Sequence, residues 1–470
     1  MTYYNAPMKN SDTLLKVRKF LAGDTFSIIL FILAALIIIF NLEIPGSVYI
    51  GILICGILIV SDDLFSCILP SLLLISFVIR NKDSYDDYMH YLWVIPIVVF
   101  AVLFHIIAYR KVFSYEKGEL ILPMCLATAA LVLGGVGSMT WLEYTSKINL
   151  SYMFALGPLI ILVYIFIGGV LRPGKNYTEH MDERLSKVMI TVSCYLVFSV
   201  MQWYLEHLDE FLFERNILAF QWRNNACTIL MLAMPFTFYM ATKKNFAYIS
   251  VAFLSYGAIV FTGSRGGLLF GAVELMILIV YFAVTDKKHR KPLLIIIGVI
   301  FAAGICASPK LVHLMRYTLE RFTSYNENFR RLGLIKRSFE DFLSNPLTGR
   351  GIGYMGNRDL HPSKAALLCW YHSSVPQVIG SFGVLGILAY GYQFFCRIRF
   401  FVRRKSLFSK TVFFSFIGLE LMSLVNPGIF APAYLVIITI FFAVVENYEP
   451  ELSEQVSEEK ERQPTEYLTK

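Results

Sequence analysis

Charge is what this chain has least of. Only 16% of its 470 residues are Asp, Glu, Lys or Arg, against about 25% in a soluble globular domain, and that deficit excludes an ordinary soluble enzyme. The eight cysteines (Cys55, Cys67, Cys125, Cys194, Cys227, Cys306, Cys369, Cys396) include no C-x-x-C or other ligand spacing, so neither a disulfide nor a zinc site is expected. Strand-like alternation is missing as well, because the apolar residues come in long blocks, which excludes a β-barrel porter.

What remains is apolar: 56% of the chain is hydrophobic and 15% aromatic. Blocks of roughly bilayer length fall near 25–41, 45–61, 63–80, 91–109, 119–138, 150–171, 186–205, 226–241, 246–262, 265–284, 293–308, 372–396, 408–426 and 431–446. The second and third are separated only by Ser61, Asp62 and Asp63. The expected fold is an all-α integral membrane protein of about 12–14 transmembrane helices with one large extracytoplasmic loop that contains helices. The first block follows Lys9, Lys16, Arg18 and Lys19 and has no small-residue cleavage site after Phe40 and Asn41, so it reads as an uncleaved span.

Direction follows from Lys and Arg. With the N-terminus inside, the inner segments and their flanks hold 26 of the 42 basic residues, including Lys287-Lys288-His289-Arg290-Lys291 and the cluster Arg397, Arg399, Arg403, Arg404, Lys405. Short cytoplasmic loops have this bias, so both termini are expected in the cytoplasm. The organisation expected is 1–245 and 246–308 as transmembrane helices, 309–371 as the extracytoplasmic loop, 372–446 as further transmembrane helices and 447–470 as a disordered acidic tail. The net charge of +8 implies no nucleic acid partner, since basic residues collect on one membrane face for topological reasons.

The loop 309–371 carries ten basic residues, seven of them arginine: Arg316, Arg321, Arg330, Arg331, Arg337, Arg350 and Arg358. Long translocated loops escape the positive-inside rule. The excess therefore fits either a solvated face paired with anionic headgroups or a site for an anionic ligand, which the planar guanidinium fork suits better than lysine does. No D-x-D-like pair or carboxylate and histidine cluster stands in this loop, so the sequence requires no divalent cation. Leu332, Ile335, Phe339, Phe342 and Leu343 are spaced as an amphipathic helix, which Asn345-Pro346 ends. Gly349-Arg350-Gly351-Ile352-Gly353 is a glycine-rich turn able to bring backbone close to a ligand.

Thr262-Gly263-Ser264-Arg265-Gly266-Gly267 stands at the outer end of one span and opens the next. A helix N-terminus favours anions, and Arg265 is either part of such a site or an arginine snorkelling to the interface. His372, at the mouth of the twelfth block, is either an interfacial residue or a proton acceptor near neutral pH. Mid-span ionisable residues are few, mainly His105, Glu274 and Glu420. A flippase or other multi-pass transporter, the alternative function, would place more of them at the midplane.

In this order, Ser264-Arg265-Gly266, Arg331 on an outer helix ending in Asn345-Pro346-Leu347, Gly349 to Gly353, His372 and Gly380-Ser381-Phe382-Gly383-Val384-Leu385-Gly386 resemble the O-antigen ligase and O-antigen polymerase superfamily, over roughly Tyr248 to Gly391. His372-Ser373 stands where that family usually has His-Asn, and Ile335 where a Trp is common. The resemblance implies a membrane-embedded glycosyltransferase of the bacterial cytoplasmic membrane, using an undecaprenyl-diphosphate-linked oligosaccharide as donor and a glycan or lipid-linked glycan as acceptor, with no cofactor and no metal. It implies Arg265, Arg331 and His372 as catalytic residues. Ser264, Gly266, Arg330, Arg337, Arg350, Gly351 and Gly353 are implied as substrate-binding.

The charge distribution makes a first prediction: a topology reporter fused after Lys405 reads cytoplasmic, and one inserted near Arg358 reads external. The reverse pattern would invert the assignment of every loop.

Overall fold

The computed structural model describes residues 12–80, 87, 90–91, 93–109, 118–138, 147–171, 180–207, 223–306, 325–353 and 370–448. Among them every regular element is helical and none is a strand. The chain is an all-α integral membrane protein, as a lipid environment demands of any backbone that does not close into a barrel. In chain order the helices are α1 (Asp12–Leu21), α2 (Asp24–Ile39), α3 (Glu43–Val60), α4 (Ile68–Arg80), α5 (Val94–Ala108), α6 (Ile121–Ser138), α7 (Lys147–Leu156), α8 (Pro158–Leu171), α9 (Met181–Glu206), α10 (Arg223–Lys243), α11 (Ile249–Phe261), α12 (Arg265–Thr285), α13 (Arg290–Cys306), α14 (Tyr325–Ser344), α15 (Ser374–Val402), α16 (Leu407–Ser423) and α17 (Pro432–Asn447).

All fourteen apolar blocks lie on helices. Among the described residues, six stretches are long and apolar enough to cross a bilayer by themselves: Glu43–Val60, Leu150–Gly169, Met181–Glu206, Arg223–Lys243, Arg265–Thr285 and Ser374–Val402. Thr13–Leu21 and Asp24–Ile39 form a further pair bent by 56°. Several other helices are shorter than their apolar blocks because turns take the ends; the block at 63–80, for example, begins with a 3-10 turn, Leu64–Cys67, capped by Asp63. The acidic tail from 449, and Arg316, Arg321 and Arg358, lie outside the described residues.

Two compact units interleave along the chain, whereas the boundaries read from the sequence follow topology. The first comprises Met1–Lys111, Arg184–Arg330 and Phe414–Gly428. Its central helix is α10, apolar on every side and buried from Ala226 to Ala241, the pattern of a helix that meets protein all round. Helices α11 and α12 pack on it, and Ser415 Oγ donates to its Leu232 carbonyl at 2.8 Å. Helix α12 runs antiparallel to α16: Gly266 lies against Val425, Glu274 against Gly418 and Tyr281 against Phe414. The Glu274 carboxylate is 1% exposed and has no hydrogen-bond partner among the described residues. His105 sets its Nδ1 2.9 Å from the Leu58 carbonyl.

Charges in this unit are matched rather than scattered. Arg18 pairs with Asp62, Arg184 with Asp63, and Arg80 with Glu43 at 3.1 Å, so the Ser61-Asp62-Asp63 turn is an ion-pair anchor between α3 and α4. At the end of α12, Asp286 accepts from His289 Nδ1 at 2.7 Å and from Thr242 Oγ1 at 3.0 Å. Burial alone would raise its pKa, but these hydrogen bonds outweigh it and hold the carboxyl below the usual range.

The second unit comprises Val112–Glu183, Arg331–Phe413 and Ile429–Lys470. Helix α6 packs on α15, and α8 on α17. Arg404 stacks over Phe400 at 3.7 Å and donates to Glu119 at 2.7 Å, and the Tyr164 hydroxyl donates to Glu446.

Asp63 is 2% exposed and Arg184 8%. Removing one partner of such a pair leaves an uncompensated buried charge, at a cost of about 3–5 kcal/mol. Arg184→Ala should therefore lower the melting temperature of the purified protein sharply, and adding Asp63→Asn should restore much of it; an unchanged melting curve for Arg184→Ala would rule out the anchor.

Candidate functional site

In the first unit, Gly263 takes a left-handed φ of +71° and reverses the chain between α11 and α12. Ser264 is the N-cap of α12: its Oγ accepts from Gly267 N–H at 3.1 Å and donates to Asn224 Oδ1 at 2.7 Å. Thr262 braces the corner from behind, its Oγ1 donating to the Ile259 carbonyl at 2.7 Å and lying 3.1 Å from Cys227 Sγ. A Cβ at Gly267 would fall 2.5 Å from Cys227 Sγ, and one at Gly266 2.5 Å from Val425 Cγ2. Both glycines therefore serve close helix packing. Arg265 is left at the first position of α12, half-buried, where the positive end of the helix dipole attracts anions.

Thus Ser264 and Gly266, read as substrate contacts from the sequence, have structural occupations: Ser264 is 1% exposed and its hydroxyl is used twice. Asn224, which holds Ser264, is not marked by the motif itself. The signal for it is the polar triplet Arg223-Asn224-Asn225, which stands before the apolar run at 226–241.

In the second unit, α14 ends at Ser344 as Asn345-Pro346 requires, and Asn345 Nδ2 closes the turn on the Gly349 carbonyl at 2.8 Å. The helix turns Leu334, Ser338 and Asp341 inward. Asp341 accepts from the Tyr371 hydroxyl and lies 3.5 Å from Arg337 Nε, which ties the loop helix to the mouth of α15. Tyr371 N–H donates to Gln377 Oε1 at 3.1 Å, and Gln377 Nε2 to Ser381 Oγ at 2.8 Å. His372, next in the chain, is half-exposed with a φ of +54°, an uncommon conformation for a residue with a Cβ and one associated with functional positions. Arg331 is exposed on α14, about 9 Å along the axis from Arg337. Arg350 donates through Nε to Ser344 Oγ at 2.6 Å. Of Arg330 only the backbone is described.

The glycine-rich turn does bring backbone close, but to protein. Helix α15 is broken at Gly383, whose φ is +59°. Its Val384 and Leu385 N–H groups donate to the Pro346 and Leu347 carbonyls, at 2.8 and 3.1 Å, while the Gly380 and Ser381 carbonyls accept from Arg350 and Gly351 N–H, at 2.9 and 2.8 Å. Gly351 thus spends its N–H on α15 and, like Gly353, is buried. Gly134 of α6 packs against the same place, since a Cβ there would lie 2.8 Å from the Ser381 carbonyl oxygen.

No group of three or more His, Cys, Asp or Glu side chains able to hold a metal occurs among the described residues. A cavity in the second unit, lined by Thr128, Tyr390, Gln393, Arg397 and Phe430 among others, contains none of the candidate catalytic or substrate-binding residues.

Gly349 has a φ of +68°, and a Cβ there would sit 2.3 Å from the Ser381 carbonyl carbon. Gly349→Ala should destabilise the protein by more than the roughly 1–3 kcal/mol of a strained backbone, whereas Gly298→Ala, with open space around it, should leave the melting temperature unchanged. Equal melting curves would show that the loop does not rest on α15.

Arg265 belongs to the first unit, and Arg331 and His372 to the second. All three fall in one stretch that matches a known family. No curated protein matches the chain. Residues 250–391 match the family model described as O-antigen ligase, against Tyr248 to Gly391 for the resemblance read from the motifs. Over residues 250–391 the chain is thus similar to the O-antigen ligase and polymerase superfamily.

Proposed function

We propose that the protein is a glycosyltransferase that polymerises or ligates undecaprenyl-diphosphate-linked glycan, of the O-antigen, capsule or related surface polysaccharide kind, at the outer face of the bacterial cytoplasmic membrane. The observation that carries this reading is the family match over the stretch that holds Arg265, Arg331 and His372. The charge bias of the loops supports cytoplasmic termini and an external 309–371 loop.

In the proposed reaction an acceptor hydroxyl attacks the anomeric carbon of the donor glycan. The bond from that carbon to the phosphate oxygen breaks, and the lipid diphosphate leaves with the electron pair. Negative charge grows on the leaving group, and fixed guanidinium groups stabilise it where water is scarce. Arg265, on a capped helix N-terminus, and Arg331 are assigned this work. His372 accepts the hydroxyl proton or orients the acceptor. No divalent cation is needed. Polymerisation, with a second lipid-linked glycan as acceptor, is preferred to ligation because nothing in the chain suggests a lipid A core partner.

Arg265→Lys keeps the charge and loses the fork, so turnover should fall about 10²-fold with the protein level in the membrane unchanged. Wild-type glycan transfer in both Arg265→Lys and Arg331→Ala would refute the diphosphate role. For His372, proton acceptance requires the neutral imidazole, so wild-type activity should rise with pH through one ionisation and His372→Gln should be as inactive as His372→Ala. An active Gln variant with a flat profile would leave only the orienting role.

A further inference from the structure

The apolar stripe of α14 faces away from the protein. Leu332 is 63% exposed, Ile335 38%, Phe339 50% and Leu343 74%. Spaced at three and four residues, they share one side of the helix, while the buried side carries Leu334, Ser338 and Asp341. An amphipathic helix normally buries its apolar stripe. This one buries a serine, an aspartate and a single leucine instead, and flanks its stripe with the exposed Arg331, Lys336 and Glu340. Apolar residues on one face with basic residues at its border are the composition of a helix that lies in a membrane interface.

The position of the bilayer edge is given independently by α15. After the break at Gly383 comes the apolar stretch from Val384 to Cys396, ahead of the basic cluster that begins at Arg397. Large exposed apolar side chains run along this stretch, among them Val384, Ile387, Leu388 and Phe395, whereas Val375 alone represents them before the break. The lipid-facing girdle therefore starts at the break. Leu347, 60% exposed, is hydrogen-bonded through its carbonyl to Leu385 at that level. In the chain Leu347 directly follows the stripe of α14, whose last residue is Leu343.

We propose that the apolar stripe of α14 is seated in the membrane interface on the N-terminal side of α15, with the bulk bilayer as its occupant. The loop helix is then a membrane-surface element whose Arg331 and Lys336 stand at headgroup level, within reach of lipid phosphates. The proposal rests on exposure and on the break in α15, and it stands or falls separately from the transfer reaction.

The test is tryptophan fluorescence of the full chain in nanodiscs of phosphatidylethanolamine and phosphatidylglycerol whose acyl chains are brominated near the headgroup. The discs contain no polyprenyl lipid, so quenching reports the bulk bilayer. In Phe339→Trp and, separately, Leu343→Trp, the emission added over that of the five native tryptophans should be blue-shifted, lose most of its intensity to brominated lipid and resist acrylamide. Leu343 is the most exposed of the four, so its variant reads the same face if Phe339→Trp disturbs the fold. Quenching by acrylamide and not by bromine would place the helix in water and overturn the proposal. Protection from both quenchers would overturn it too, by showing protein over the stripe.

Discussion

The structure of the second unit depends on one constraint: inside a membrane, a backbone N–H or C=O that loses its helical partner must find another within the protein. The break in α15 frees two N–H groups, at Val384 and Leu385, and two carbonyls, at Gly380 and Ser381. The Pro346–Gly351 turn satisfies all four. This exchange explains why the loop end and the span start both need glycines, since Gly349, Gly351 and Gly383 each take a positive φ. It also holds α14 against the mouth of α15, where Asp341 meets Tyr371 and His372 follows.

In the first unit the same economy governs polar side chains. Ser264 caps α12 and is itself held by Asn224, so the first turn of the helix that bears Arg265 is fixed from two sides. The glycines after it admit Cys227 and Val425 closely. An arginine on so rigid a base loses little further freedom when it meets an anion, which is the condition for electrostatic stabilisation of a leaving group. Glu274, by contrast, is buried against Gly418 about two and a half turns down the same helix. It belongs to the packing of α12 on α16, and a lone buried carboxylate of this kind does not make the chain of midplane charges that a transporter uses.

The sequence by itself determined the fold class and the position of every apolar helix, because a hydrocarbon solvent leaves long apolar blocks a single regular solution. It also determined that Asn345-Pro346 ends the loop helix and that the family motifs lie between Tyr248 and Gly391. Tertiary structure decided what those motifs do locally. Spacing marked Leu332, Ile335, Phe339, Phe342 and Leu343 as an amphipathic face of α14 but could not say whether that face turns inward; four of the five turn outward, and on the buried side Asp341 is held by Tyr371 at the mouth of α15. Composition marked the Gly349 to Gly353 turn as able to approach something closely, and only the break at Gly383, more than thirty residues away in the chain, identified that partner as backbone. The sequence likewise carries no mark of the hydrogen bond that Ser264 makes to Asn224, forty residues earlier. Partners so far apart in sequence leave no local signal, since which hydrogen bond a polar group makes depends on which groups the fold brings within about 3 Å of it.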